Sequence, residues 1–204
     1  ALFAVLKAAH GERAWTEWPG PLARREPAAL DAARARHAEG VFAEEFAQWC
    51  FFRQWEALRR LCRALGIALV GDLPIYVAHD SVEVWARPEL FQLDARGAPR
   101  VVAGVPPDYF SATGQRWGNP LYDWEAVARE GWAFWRERVR GALALVDRIR
   151  LDHFRGFEAY WEIPAGATTA VEGRWIPGPG AALFEALERD LGAPLPFIAE
   201  NLGL

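Results

Sequence analysis

Residues 65–72 read LGIALVGD and follow a long helical pattern. Aromatic and apolar side chains recur at three- and four-residue steps from Val41 to Leu65, which predicts an amphipathic helix. Gly66 is placed to end that helix as a C-terminal cap. The continuous apolar run at 67–70 then predicts a buried strand. A helix, a glycine and an apolar strand in this order are typical of a parallel α/β sheet.

The same alternation continues along the chain. Further helices are predicted at about 22–38, 125–145 and 181–191, and further strands at 147–152 and 197–200. Two stretches, 78–124 and 163–180, show no sustained period and are predicted to be irregular excursions. The order predicts an α/β fold with parallel strands, for which a (β/α)₈ barrel and a doubly wound sheet both fit. With three strands visible, a barrel would be about half present.

Composition narrows the possible functions. The chain has 204 residues, 52% of them hydrophobic, and a net charge of −4. It contains no dense Lys/Arg tract, which argues against a nucleic-acid partner. No apolar run is long enough for a membrane span and no signal segment precedes the fold, so we expect no membrane association. Cys50 and Cys62 lie in predicted helix, which favours a reducing, cytoplasmic location and neither a disulfide nor a metal site.

Aromatic residues are numerous, with 11 Trp and 12 Phe. Such residues fill protein cores, and flat aromatic faces also stack on sugar rings. Four tryptophans at helical spacing are predicted to be core residues: Trp49, Trp55, Trp132 and Trp135. The pattern leaves Trp161 and Trp175 undecided.

A carboxylate lies at or next to the end of each predicted strand: Asp72, Asp152 and Glu200. The carboxyl ends of parallel strands meet at one edge of a sheet, where α/β enzymes place their active sites. The alternative is that each acid is a helix N-cap or an ordinary loop residue. The spacing alone leaves both interpretations open.

The strand at 147–152 favours the catalytic interpretation. Side chains alternate along a strand, so Arg150 and Asp152 share a face and the guanidinium favours the ionised carboxylate. Glu200 has no adjacent cation, and burial would favour its protonated form. One ionised and one protonated carboxyl group is the arrangement of retaining glycosidases. In that scheme Asp152 attacks the anomeric carbon and Glu200 protonates the leaving oxygen.

Four strings of the sequence resemble the amylomaltases of glycoside hydrolase family 77. RIRLDHFRGF at 148–157 resembles their nucleophile segment, and GDLPIYV at 71–77 resembles their third-strand motif. PPDYFS at 106–111, followed by GQRWGNP at 114–120, is similar to their substrate-covering loop. The string around Ile198-Ala199-Glu200 is similar to their acid/base segment.

The resemblance implies a role for each matching residue. Asp152 would be the nucleophile, Glu200 the general acid/base, and Arg150 the cation that orients the nucleophile. The substrate-binding residues would be Asp72 near the donor sugar and Tyr109 and Phe110 over the sugar subsites, with Trp117 and Asn119 beside them. His153 directly follows the predicted nucleophile, and this position predicts a bond to a sugar hydroxyl. The implied reaction moves an α-1,4-glucan segment to the 4-hydroxyl of another chain without a metal or organic cofactor. The implied partners are α-1,4-glucans and maltooligosaccharides, with glucose as an acceptor.

The implied fold is a partial (β/α)₈ TIM barrel with inserted helical and loop subdomains. Residues 1–65 would form a helical segment made of an inserted subdomain and a barrel helix. Residues 66–204 would belong to the catalytic barrel, with an inserted substrate-loop region at 78–124. The absence of methionine and the pattern at both termini predict an internal piece of a longer protein.

The sequence departs from the family pattern at two points. Asn201 replaces the aspartate that usually follows the acid/base, which removes a charge beside Glu200. The third catalytic acid of the family lies in a later His-Asp motif, for which the pair His79-Asp80 is no substitute, so we expect these 204 residues to be catalytically incomplete. An α-glucan hydrolase and a non-catalytic glucan-binding relative remain as alternatives.

Overall fold

A computed structural model of the chain describes residues 1–200. Its strands are β1 (Val70–Pro74), β2 (Val101–Val105), β3 (Gln115–Pro120), β4 (Arg148–Asp152), β5 (Ala159–Pro164), β6 (Arg174–Pro177) and β7 (Phe197–Ala199). Its α-helices are α1 (Leu2–Ala9), α2 (Gly20–Ala23), α3 (Pro27–Arg36), α4 (Ala38–Ala64), α5 (Val82–Ala86), α6 (Trp124–Arg129), α7 (Ala133–Leu145) and α8 (Ala181–Leu191). Short 3-10 turns lie at Trp15–Glu17, Pro88–Leu90 and Phe154–Phe157.

Three parallel strands form the sheet that carries the acidic residues, in the order β1-β4-β7. In register, Asp72 lies opposite Arg150, and Pro74 lies opposite Asp152. On the other side of β4, Leu151 lies opposite Ala199. The α/β class with parallel strands is therefore confirmed.

The two faces of this sheet differ in chemistry. Ile149 and Leu151 are buried in one core with Val139 of α7 and Leu187 of α8. Arg150 and Asp152 alternate with them and lie on the opposite face, where they are partly exposed. This strand follows the period-2 alternation that its sequence predicts. The charged side chains therefore share the face of β4 that the helices leave open.

Asp147 links α4 to the starts of β1 and β4. Its Oδ2 accepts a hydrogen bond from the Leu69 backbone N–H at 3.0 Å, and its Oδ1 lies 2.8 Å from Arg59 Nη2. The Leu69 N–H, ahead of Arg59, holds the pKa of the Asp147 carboxyl well below its ordinary value. Since Asp147 directly precedes β4 and Leu69 directly precedes β1, this contact aligns the starts of both strands.

The predicted start of the first strand is wrong by three residues, since the sequence predicts the strand at 67–70 and β1 begins at Val70. Ile67 still belongs to the end of α4: its N–H bonds the Cys62 carbonyl at 2.8 Å, while the Gly66 N–H bonds Arg63 at 3.1 Å. This is a Schellman cap with Gly66 in the left-handed region, as the glycine predicts. Asp72 consequently lies in the middle of β1 and not at its end.

The structure contains a second sheet that the sequence pattern did not predict, with β2, β3 and β6 inside the two predicted excursions and β5 mostly just before the second. Its order is β3-β2-β5-β6, and its strands are antiparallel. The strands are short and interrupted by Gly and Pro, so they show no sustained alternation. At Gly104 a Cβ atom would lie 2.2 Å from the Gln115 carbonyl oxygen, so the close approach of β2 and β3 requires glycine.

Two helices predicted from the sequence are each divided in the structure. The helix expected at 22–38 is divided into α2 and α3, with Pro27 at the start of α3. The helix expected at 125–145 is divided into α6 and α7, because Gly131 and Trp132 both adopt positive φ. Among the described residues, no helix is long and apolar enough to cross a membrane.

The core prediction for Trp49 is wrong. Trp49 is 58% exposed and stacks on Phe46, which in turn stacks on Phe42. Trp135 is buried as predicted, whereas Trp132 is partly buried against the core. Trp55 is also partly buried, and its indole N–H donates to the Leu145 carbonyl. Helical spacing identifies one face of α4 but does not show what covers that face.

Candidate active site

Arg150 joins two carboxylates on the open face of the parallel sheet. Its Nη1 lies 2.8 Å from Asp72 Oδ1, and its Nη2 lies 2.9 Å from Asp152 Oδ1. Hydrogen bonding to Asp72, ahead of the attraction of Asp152, raises the pKa of the Arg150 guanidinium. A fixed cation at this distance attracts both carboxylates and orients the Asp152 oxygens.

Glu200 lies beside Asp152 on the neighbouring strand. Its backbone N–H continues the parallel ladder by bonding the Leu151 carbonyl at 3.1 Å. Because Leu151 and Ala199 are paired, Asp152 and Glu200 occupy the next level on strands about 4.8 Å apart. The Glu200 carboxylate also accepts a hydrogen bond from the His153 backbone N–H at 3.1 Å. The structure thus places both carboxyl groups at one edge.

His153 turns the chain away from β4 directly after Asp152. Its backbone has φ 51°, a left-handed conformation that is uncommon for a residue with a side chain. Its ring meets the Trp117 ring edge-on at 4.9 Å. Burial lowers the pKa of the imidazole, against the opposing effect of the Glu200 and Asp152 charges. Its Nε2 is buried without a hydrogen-bond partner among residues 1–200.

We expect His153→Asn to change how stability depends on pH, in a polypeptide of full family length carrying this sequence. Asparagine tolerates the left-handed backbone, so the turn should survive. Because the pKa of the imidazole is lowered in the folded protein, the unfolded chain binds the proton first as pH falls. The free energy of unfolding is therefore highest above about pH 6.5 and decreases as pH falls from there towards the folded pKa. Melting temperatures measured from pH 8 to 5 should therefore fall less steeply below pH 6.5 in the variant. Parallel curves would contradict this.

Trp117 and Asn119 lie on β3, where that strand approaches the parallel sheet. The Asn119 side-chain amide donates to the Val77 carbonyl at 2.9 Å, just beyond β1. Trp117 is 38% exposed and contacts His153 and Tyr76. The second sheet is therefore tied to the acidic edge through these two side chains.

Tyr109 and Phe110 stand apart from the acidic cluster in the loop between β2 and β3. They are 98% and 94% exposed and contact each other with ring centroids 5.9 Å apart. Asp108 shapes their turn, since its Oδ1 accepts from the N–H groups of Phe110 at 2.9 Å and Ser111 at 2.8 Å. The loop backbone is thus ordered while both rings project into solvent.

One contact network therefore joins most of the residues that the sequence singles out. Ion pairs join Asp72, Arg150 and Asp152. His153, the next residue, contacts Glu200 through its backbone N–H and Trp117 through its ring. Arg155 is a member that the sequence did not assign, although it lies within the 148–157 string. Its charge lowers the pKa of His153, and its guanidinium lies over the Trp175 ring. Asn201 lies outside the described residues.

The fold and the site together define a class of protein. Two carboxylates and an oriented guanidinium at the carboxyl edge of a parallel α/β sheet are the groups that a retaining enzyme uses on a glycosidic bond. The family model described as 4-alpha-glucanotransferase matches residues 1–204. The chain belongs to the 4-α-glucanotransferase family, and the resemblance to amylomaltases is confirmed.

Individual relatives agree with this assignment. The chain is 57% identical over 204 residues to the 4-alpha-glucanotransferase of Thermus thermophilus, and it covers 41% of that protein. It is 42% identical to the chloroplastic/amyloplastic 4-alpha-glucanotransferase of Solanum tuberosum, covering 35% of it. Its structure matches amylomaltase from Streptococcus agalactiae in complex with acarbose, with a TM-score of 0.95, 43% identity, and coverage of all of this chain and 41% of that one. The chain thus spans about two fifths of the length of these bacterial relatives.

Proposed function

We propose that this chain forms part of a retaining 4-α-glucanotransferase that moves α-1,4-glucan segments between chains. The observation that carries the proposal is the position of Asp152 and Glu200 at the same level of neighbouring parallel strands, with Glu200 bonded to the backbone next to Asp152. A covalent double displacement needs two carboxyl groups about 5–5.5 Å apart. Adjacent strand ends can provide that separation.

In the first step, an Asp152 oxygen attacks the anomeric carbon of the donor. The glycosidic C–O bond breaks as Glu200 gives its proton to the leaving oxygen, and a glycosyl ester forms on Asp152. In the second step, Glu200 takes the proton from the 4-hydroxyl of an acceptor glucan, maltooligosaccharide or glucose. That oxygen then displaces Asp152 from the anomeric carbon, so the original configuration is restored. Arg150 would orient the Asp152 carboxylate for attack in the first step and attract it when it leaves the anomeric carbon in the second.

The remaining site residues are proposed to hold the sugars. Asp72 would bind the donor sugar on the face that it shares with Arg150. Trp117, Asn119 and His153 would contact the sugar from the side of the second sheet, with the buried Nε2 of His153 turned to a sugar hydroxyl after a small rearrangement. The relative from S. agalactiae was solved in complex with acarbose, which supports an oligosaccharide ligand here.

We also propose that the parallel sheet is part of a (β/α)₈ barrel whose lumen is the open face of β1 and β4. The burial of only one face of these strands supports this arrangement. Residues 1–65 would then be a helical segment, and 78–124 an insertion into the barrel portion at 66–204. The third acid would come from outside these 204 residues. A cytoplasmic location remains part of the proposal.

The direct test is to give maltotriose to the full-length enzyme and separate the products. A transferase should release glucose together with maltopentaose and longer chains. A hydrolase should release glucose and maltose without longer products, and a binding protein should leave maltotriose intact. Either of the last two results would contradict the proposal.

Tyr109 and Phe110 are proposed to cover the glycosyl-enzyme and exclude water. Transfer requires that an acceptor displace Asp152 before water does. Tyr109→Ala should therefore raise the ratio of hydrolysis to transfer about 2- to 10-fold, the range that an aromatic contact provides. Tyr109→Phe keeps the ring and serves as the matched control. An unchanged ratio in the alanine variant, measured as reducing ends formed per transfer product, would contradict the covering role.

A further inference from the structure

Trp175 on β6 is held firmly yet remains open to a ligand. The Arg155 guanidinium lies over its ring at 4.2 Å from the centroid, and the Trp161 ring contacts it at 5.3 Å in an edge arrangement. The residue is nevertheless 39% exposed. A large flat ring that is fixed on some sides and exposed on others is suited to stacking on the apolar face of a sugar.

The contact with Arg155 ties Trp175 to the candidate catalytic turn. Arg155 lies three residues after Asp152, in the 3-10 turn Phe154–Phe157. His153, directly before this turn, contacts the opposite edge of the second sheet through Trp117 of β3. Within the described residues, β3 and β6 are the two edge strands of that sheet. Each edge strand thus presents a partly exposed tryptophan that contacts the turn after Asp152.

Trp175 meets the turn through Arg155, which the proposed bond-breaking step does not use. Arg155 lies three residues after Asp152, and its guanidinium, not a catalytic carboxylate, lies over the indole. The ring is therefore suited to contact sugars of a long glucan beyond the one that reacts at Asp152.

We propose that Trp175 is a remote glucan-stacking position that makes the enzyme favour longer α-1,4-glucans. This inference rests on the proposed function, since it places the ring along the same substrate. A long glucan gains the contact and a short one does not. Trp175 consequently acts on binding of the extended chain and leaves the bond-breaking step unchanged.

A purely internal role for Trp175 leads to a different expectation. If the indole only supported Arg155, its loss would disturb the turn next to Asp152 and the environment of His153. Activity would then fall equally for short and long substrates. The dependence on glucan length therefore separates stacking on the substrate from support of the catalytic turn.

The experiment compares kcat/KM for maltotriose and maltoheptaose in a full-length enzyme carrying this sequence. Trp175→Leu keeps an apolar side chain against Trp161 but removes the flat ring, and Trp175→Phe keeps a flat ring. We expect Trp175→Leu to lower kcat/KM for maltoheptaose about 3- to 10-fold, as for loss of an aromatic contact, with little change for maltotriose. Trp175→Phe should retain most of the preference for the longer substrate.

Val171→Ala, at another exposed position near β6, is the control and should leave the ratio of the two substrates unchanged. Equal losses for both substrates, or no loss for either, would overturn the proposal. Failure of the unaltered enzyme to form longer products from maltotriose would instead overturn the proposed function. Melting temperatures identify any variant that has lost the fold. If Trp175→Leu is one of them, Trp175→Gln, which also removes the ring at this partly exposed position, takes its place and should show the same selective loss for maltoheptaose.

Discussion

Asp152→Asn is expected to lower glucan transfer by about 10⁴-fold or more in the full-length enzyme, as for loss of a covalent nucleophile. The amide has nearly the shape of the carboxylate, so packing at the end of β4 should persist. It carries no negative charge, however, and cannot form the glycosyl ester. Arg150 would also lose one of the two carboxylates that it bridges.

Asp31→Asn provides the matched control for that change. Asp31 is exposed on α3, outside the parallel sheet, so the same substitution there should leave transfer unchanged. Initial rates with maltotriose and melting temperatures should be measured for both variants. An Asp152→Asn enzyme that keeps more than a few per cent of wild-type transfer would exclude Asp152 as the nucleophile.

The second large effect is expected for Glu200→Gln, and it should depend on the leaving group. With maltooligosaccharide donors the departing oxygen needs a proton, so the variant should lose about 10²- to 10⁴-fold in rate. With an α-maltosyl fluoride donor the fluoride leaves without protonation, and the first step should remain close to wild type. The hydrogen bond from the His153 N–H can persist, because the amide oxygen of glutamine also accepts.

Glu188→Gln on the exposed side of α8 serves as the control for Glu200→Gln. The Glu188→Gln variant should match the unaltered enzyme in rate with both donors. An equal loss with both donors in Glu200→Gln would show that Glu200 supports the structure and does not transfer the proton.

The sequence predicts the parallel part of the fold well, for identifiable reasons. β4 alternates apolar and charged residues, α8 has a clear apolar face, and Gly66 can adopt the left-handed cap conformation. These are local signals, since each depends on residues that are close along the chain. They suffice to predict the strands that lead to Asp152 and Glu200, whereas the sheet order that makes these strands neighbours comes from the structure.

The features that the sequence does not predict depend on distant contacts. The second sheet pairs β2 with β5, although about 55 residues separate them along the chain, and its Gly- and Pro-rich strands carry no alternation. The exposure of Trp49 likewise depends on what packs against α4, which helical spacing does not reveal. The contact of Arg155 with Trp175 joins a turn to a strand nearly twenty residues later. Position in the fold, and not residue type, determines each of these.

Asp152 and Glu200 are expected to act on opposite sides of one glycosidic bond. The most direct measurement incubates full-length Glu200→Gln enzyme with α-maltosyl fluoride, without added acceptor, and maps the covalently bound sugar by mass spectrometry of the digested protein. We predict a maltosyl ester on the peptide that contains Asp152, and its disappearance when Asp152 is also replaced by asparagine. A sugar attached to another residue, or an adduct that persists without Asp152, would contradict the account.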